Sequence, residues 1–121
     1  MKRLSGILFF TALIVGAAAI QSRAQNGPIA GGYGEIPVTT PGVYRNAQFA
    51  VGTQAKRMGA KIQLLRVVKA EQQVVAGMNY RLCVSVKMIG SARRFRTATV
   101  VVYQNLRKRR SLTSWSFGKC G

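Results

Sequence analysis

The clearest alternation of apolar and polar residues lies between Tyr80 and Met88, where apolar side chains occupy every second position. A period of two predicts a strand with one buried face. Shorter or less regular patterns predict further strands from Lys61 to about Gln72, from Phe95 to Gln104 and from Leu112 to Phe117. The second half of the chain therefore predicts a sheet.

The segment from Val43 to Gly59 has a different period. Its apolar residues recur every three or four positions, which predicts an amphipathic helix: Val43, Ala47, Ala50, Val51 and Met58. Gly52 and Thr53 lower its intrinsic helix propensity, so the helix is expected to depend on packing against the sheet. Gly59 is a suitable end.

One helix followed by four antiparallel strands predicts a single α+β domain in which the sheet wraps the helix. Upstream of the helix, residues 25–41 hold four glycines and three prolines, which predicts an extended arm ending in a turn. Ile36 and Val38 are the candidates for a short fifth strand at the end of this arm.

Residues 1–24 have the pattern of a secretory signal peptide. Lys2 and Arg3 precede an apolar stretch, and Ser22 and Ala24 supply small residues for cleavage after Ala24. The alternative is an uncleaved membrane anchor, although the apolar stretch is short for a span of about 20 residues. The prediction is a domain at residues 25–121, secreted to the cell exterior or a periplasm, with no membrane span.

The chain has 19 basic residues and two acidic ones, a net charge of +17. Removal of residues 1–24 leaves 16 basic residues and a net charge of +14. Such a charge favours anionic partners. For an exported protein, anionic membranes or glycans are expected rather than nucleic acid.

The residue inventory also argues against an enzyme. There is no His and no Asp, and the only acids are Glu35 and Glu71. The common general base, the commonest metal ligand and every serine or cysteine triad built on His are therefore missing. We expect no catalytic residue, no metal site and no cofactor.

Two motifs indicate a specific family. Residues 73–77 read QVVAG between two predicted strands, and residues 46–51 read NAQFAV in the predicted helix. The first resembles the inhibitory loop of cystatins, and the second resembles the LARFAV signature of plant-type cystatins. The order and separation of the motifs fit that family, which implies a cystatin-like fold with a four- to five-stranded sheet.

The resemblance implies a function and its residues. Cystatins reversibly inhibit papain-like cysteine proteases by filling the active-site cleft with an N-terminal arm and two hairpin loops. The protease-binding residues implied here are Gly31 or Gly32 in the arm, with Gln73, Val74, Val75, Ala76 and Gly77 in the first loop. The family's Pro-Trp in the second loop is absent, and its two places fall on Asn105 and Leu106.

Two questions stay open in the sequence. Cys83 and Cys120 are predicted to be separated by one intervening strand, a gap of about 10 Å at the usual interstrand spacing, whereas a disulfide requires Cα atoms within about 7 Å. An intramolecular bond is therefore disfavoured unless the C-terminal tail folds back, and an intermolecular one is an alternative. The runs at 93–96 and 107–110 support a second hypothesis, a cationic cystatin-like protein that binds anionic membranes or glycans without inhibiting a protease.

Overall fold

The computed structural model describes residues 32–120. It contains one helix and a five-stranded antiparallel sheet whose strands are neighbours in chain order. The elements are β1 (Tyr33–Ile36), α1 (Val43–Met58), β2 (Lys61–Val75), β3 (Gly77–Ile89), β4 (Phe95–Gln104) and β5 (Arg110–Phe117). The predicted α+β class and the predicted order of arm, helix and four strands are confirmed, whereas the predicted signal peptide lies outside the described residues.

The helix packs on one face of the sheet through the predicted stripe. Val43, Ala47, Ala50 and Val51 are buried against alternate residues of β3 and β4, with Leu82, Val84, Val86, Val100 and Val102 fully buried in the same core. Met58 was predicted to belong to this stripe, but its side chain is 45% exposed. The buried helix residues end at Val51, and Met58 is the last helical residue.

The first strand lies earlier than predicted. Tyr33–Ile36 pair with Gln73–Ala70 of β2, so this part of the arm is a sheet strand. Pro37 follows and cannot donate a backbone hydrogen bond to continue the ladder. Val38 is 40% exposed in the turn that follows, where the Thr40 amide donates to the Pro37 carbonyl at 3.0 Å.

Strand β2 carries two irregularities that explain its imperfect alternation. The register with β3 shifts between Leu64 and Arg66 and again between Val67 and Lys69. The residues between, Leu65 and Val68, are 42% and 49% exposed. Only Ala70–Gln73 of β2 pair with β1, so the rest of β2 is a sheet edge, and bulges at such an edge hinder pairing with another chain.

The prediction that disfavoured an intramolecular disulfide is wrong. Cys83 and Cys120 are bonded, with their Cα atoms 5.8 Å apart. The chain turns at Gly118, whose φ is 130°, and the Gly118 amide donates to the Thr97 carbonyl of β4 at 2.8 Å. The tail therefore crosses back over β4, on the sheet face opposite the helix, and reaches Cys83.

Candidate functional site

The QVVAG segment forms the tip of the β2–β3 hairpin. Gln73, Val74 and Val75 end β2, Ala76 is the bend, and Gly77 begins β3. Val74 and Val75 are each 39% exposed, and Ala76 is also exposed. The predicted loop is thus a narrow strand tip that presents backbone and small side chains to solvent.

Gly77 is required at this tip by both conformation and space. Its φ is +109°, a value that residues with a side chain rarely adopt. A Cβ built on Gly77 would lie 2.5 Å from the Gln104 carbonyl oxygen and 3.0 Å from the Asn105 Cα. The first tip is therefore packed directly against the backbone that leads into the second loop.

The second loop connects β4 to β5 and is organised by Asn105. Its side-chain Oδ1 accepts hydrogen bonds from the Arg107 amide at 2.8 Å and the Arg109 amide at 3.0 Å. Its own backbone amide donates to the Arg109 carbonyl at 2.9 Å. Asn105 thus shapes the loop from within, while Leu106 projects from it with 79% exposure.

The arm reaches the same end of the molecule. Tyr33 is paired with Gln73, and the two strands are antiparallel, so the chain before Tyr33 leads towards the tip. This places Gly32 beside the end of β2, whereas Gly31 lies outside the described residues. Gly32, residues 73–77 and residues 105–106 therefore share one end of the sheet, which we call the wedge end.

A tyrosine that the sequence analysis did not single out joins the two loops. The Tyr103 hydroxyl, on β4, donates a short hydrogen bond to the Ala76 carbonyl at the tip. Tyr103 also borders Gly77. The only feature of the sequence that points to Tyr103 is its position two residues before Asn105. The contact itself depends on the β3–β4 register.

We expect Tyr103→Phe to loosen the tip without unfolding the domain. Loss of one neutral hydrogen bond costs about 1 kcal/mol, so the free energy of unfolding should fall by about that amount. Tyr44→Phe is the matched control because Tyr44 is 53% exposed on the helix. Equal free energies of unfolding for the two variants, measured in urea, would show that the Tyr103 hydroxyl does not hold the tip.

A hydrogen bond that the sequence did not predict, between Arg110 and Asn46, holds the helix beneath the second loop. The Arg110 Nε donates to the Asn46 Oδ1 at 2.6 Å. Asn46 is fully buried, and its Nδ2 has no hydrogen-bond partner. Asn46 is the first residue of the helix motif, and Arg110 begins β5, so this contact ties the motif to the base of the loop.

Arg81 links β2, β3 and the arm on the sheet face opposite the helix. The Arg81 guanidinium donates to both carboxylate oxygens of Glu71, at 2.8 and 3.0 Å. The same guanidinium lies 4.0 Å from the centre of the Tyr33 ring, a cation–π geometry. Its hydrogen bonds hold the pKa of Glu71 below the ordinary value.

This ion pair predicts a weak acid dependence of stability. The lowered pKa means that Glu71 stabilises the fold fully above its unfolded pKa of about 4.5. The contribution is lost as the pH falls through the lowered folded value. Because the Arg81 side chain is 39% exposed, we expect at most about 1 kcal/mol. Urea unfolding at neutral and acidic pH should show a smaller acid loss in Glu71→Gln than in the unchanged protein; identical losses would contradict the assignment.

The described residues contain no helix long and apolar enough to cross a membrane. Within the same residues, no group of three or more His, Cys, Asp or Glu side chains is placed to hold a metal ion.

Comparisons with known proteins agree with this geometry. The family model SQAPI, described as aspartic acid proteinase inhibitor, matches residues 36–118. Cysteine proteinase inhibitor 8 of rice (Oryza sativa subsp. japonica) is 35% identical over 118 residues, which is 95% of each chain.

Solved cystatin structures have the same fold. The salivary cystatin of the soft tick Ornithodoros moubata has a TM-score of 0.63 and 26% identity, covering 75% of this chain and 100% of its own. Dimeric human cystatin F has a TM-score of 0.60 and 15% identity, covering 88% of this chain and 98% of its own. These relatives are proteinase inhibitors rather than enzymes. The chain therefore belongs to the SQAPI proteinase-inhibitor family, within the cystatins.

Proposed function

We propose that this protein is a secreted, reversible inhibitor of papain-like cysteine proteases. The observation that carries the proposal is the wedge end, where an exposed QVVAG tip is packed against the second loop and flanked by the arm. The similarity to a rice cysteine proteinase inhibitor supports the class of target. Residues 1–24 would direct export, and the Cys83–Cys120 bond suits an oxidising compartment.

In this proposal, inhibition requires no bond to be made or broken. Gln73 to Gly77 would enter the protease cleft, where Ala76 and Gly77 allow backbone to approach the catalytic cysteine because little side chain intervenes. Val74 and Val75 would add apolar contact. Because the Tyr103 hydroxyl and the Gln104 backbone already hold the tip, little conformational entropy is lost on docking.

The second loop gives the wedge an unusual composition. Leu106 supplies an apolar contact with less area than the family's tryptophan. Arg107, Lys108 and Arg109, all exposed, follow it. Positive charge beside the binding surface speeds association with a partner that carries acidic groups at the matching position. Proteases with acidic residues beside the cleft are therefore the preferred targets.

Inhibition of papain by residues 25–121 tests the proposal most directly. An inhibition constant below micromolar would support it, and no inhibition at micromolar protein would reject it. Leu106→Trp should strengthen inhibition about tenfold by restoring aromatic area, and Leu106→Ala should weaken it. If both changes leave the inhibition constant unaltered, the second loop does not contact the protease.

A second candidate target is an aspartic proteinase, which is favoured by the description of the matching family model. A parallel pepsin assay at acidic pH separates the two candidates. Inhibition of pepsin with no effect on papain would replace the first proposal with the second.

A further inference from the structure

A second surface lies on the sheet face opposite the helix, at the end remote from the wedge. We call it the distal face and define it by Lys61, Lys87, Ile89, Arg93, Phe95 and Lys119. We infer that the distal face binds the surface of an anionic phospholipid membrane. This inference does not depend on protease inhibition and extends the function beyond the wedge end.

The strand register brings these residues together. Lys61 is the Cα partner of Ile89 across β2 and β3, and Lys87 is the partner of Phe95 across β3 and β4. Cys83 and Lys87 are an even number of residues apart on β3, so they share a sheet face. The disulfide therefore carries the tail, with Lys119, onto this face, and Arg93, Phe95 and Lys119 line one depression.

Apolar side chains are exposed among the cations. Phe95 is 68% exposed and Ile89 is 47% exposed. The intervening turn is ordered by a hydrogen bond from the Met88 amide to the Arg94 carbonyl at 2.6 Å, which closes the β3–β4 hairpin. The hairpin therefore presents a phenylalanine and an isoleucine to solvent from a structured support.

No acidic side chain offsets this charge. Glu35 and Glu71 are the only acids of the whole chain, and they are Cα partners in the β1–β2 pair. Glu71 is ten residues from Lys61 along β2, about 33 Å at the usual rise per residue. The Glu71 carboxylate is also ion-paired with Arg81. The ionisable side chains that define the distal face are therefore all basic.

The combination of charge and exposed apolar groups selects a lipid surface. Each basic residue near an anionic membrane adds to the attraction, and exposed aromatic and aliphatic side chains gain further by entering the headgroup boundary. A sulfated glycan or a nucleic acid duplex would use the cations through its anionic groups but would leave the aliphatic Ile89 side chain in water. Because the distal face and the wedge lie at opposite ends of the sheet, a membrane-bound molecule would still present its wedge to a protease.

Vesicle co-sedimentation of residues 25–121, which include every described residue, tests the inference. Vesicles of phosphatidylcholine with an equal share of phosphatidylglycerol should retain the protein, and pure phosphatidylcholine vesicles should not. The double variants Ile89→Ser/Phe95→Ser and Arg93→Gln/Lys119→Gln should each reduce retention about tenfold. The altered side chains are exposed, and a thermal melt checks that each variant folds.

Matched controls change the same chemistry at the wedge end. Leu106→Ser removes an exposed apolar residue there, and Arg107→Gln/Arg109→Gln removes two charges. Both controls should keep at least half of the vesicle binding. Three results would overturn the inference: no retention on anionic vesicles, equal losses in the controls, or full retention by Ile89→Ser/Phe95→Ser. Full vesicle retention by Ile89→Ser/Phe95→Ser, together with loss of sulfated-resin binding only in Arg93→Gln/Lys119→Gln, would identify a purely ionic glycan site.

Discussion

Gly77→Ala should weaken inhibition of papain about thirtyfold and lower the free energy of unfolding by about 2 kcal/mol. The added Cβ would lie 2.5 Å from the Gln104 carbonyl oxygen, a separation that requires the backbone of one loop to move. The substitution also places a side chain at a φ of +109°, which costs about 1–3 kcal/mol. A shift of either loop would remove the fit of the wedge, and a thirtyfold change corresponds to about 2 kcal/mol.

The matched control is Gly52→Ala in the helix. A Cβ at Gly52 would meet nothing within 4 Å, and alanine in a helix interior is favoured over glycine by about 1 kcal/mol. This control should raise the free energy of unfolding and leave the inhibition constant unchanged. Urea unfolding and papain titration of both variants give the comparison. Unaltered inhibition by Gly77→Ala would exclude the packed tip as the inhibitory element.

Removal of the disulfide should have the largest effect on stability. The bond links residues 37 positions apart, and the loss of a loop constraint of this length in the unfolded chain corresponds to about 4 kcal/mol. We therefore expect Cys83→Ala/Cys120→Ala to unfold at a much lower urea concentration. This variant also truncates the Cys83 side chain, which is only 6% exposed. The inhibition constant, measured where the variant is folded, should remain within about twofold, since the bond lies away from the wedge.

Reduction of the unchanged protein provides the companion measurement. Dithiothreitol should lower its urea midpoint to that of Cys83→Ala/Cys120→Ala and should have no effect on that variant. A midpoint that is the same with and without reductant in the unchanged protein would mean that the bond does not constrain the unfolded chain. A large loss of inhibition by the folded variant would mean that the tail supports the wedge.

The sequence predicted most of the fold because periodicity reports burial directly. The alternation from Tyr80 to Met88 and the stripe from Val43 to Val51 each define one buried face, and those faces form the core. The predictions are wrong where contacts with other elements, rather than the local pattern, decide which residues are paired or buried. Val38 was predicted to be in the first strand, but pairing with β2 selects Tyr33–Ile36.

The sequence predicted which residues form the candidate site, but it did not predict the contacts among them. QVVAG and the place of Asn105 and Leu106 follow from a family resemblance, which is a property of local sequence. The sequence did not predict the contacts of Tyr103, Arg110 and Asn46, because each of these residues has its partner far along the chain. Tyr103 bonds to Ala76, and Arg110 bonds to Asn46 of the helix. A hydrogen bond between strands depends on register, and no local pattern encodes its partner.

The amino-acid sequence alone determined the helix, the strands, the QVVAG motif and the positive charge, because these follow from local spacing and composition. Only the tertiary structure decided that the tail crosses β4 to bond Cys120 to Cys83. It also decided that Gly77 lies against the second loop and that Phe95 is exposed among cations. The physical reason is that these features depend on where strands end and turn in space, which many weak long-range contacts set together.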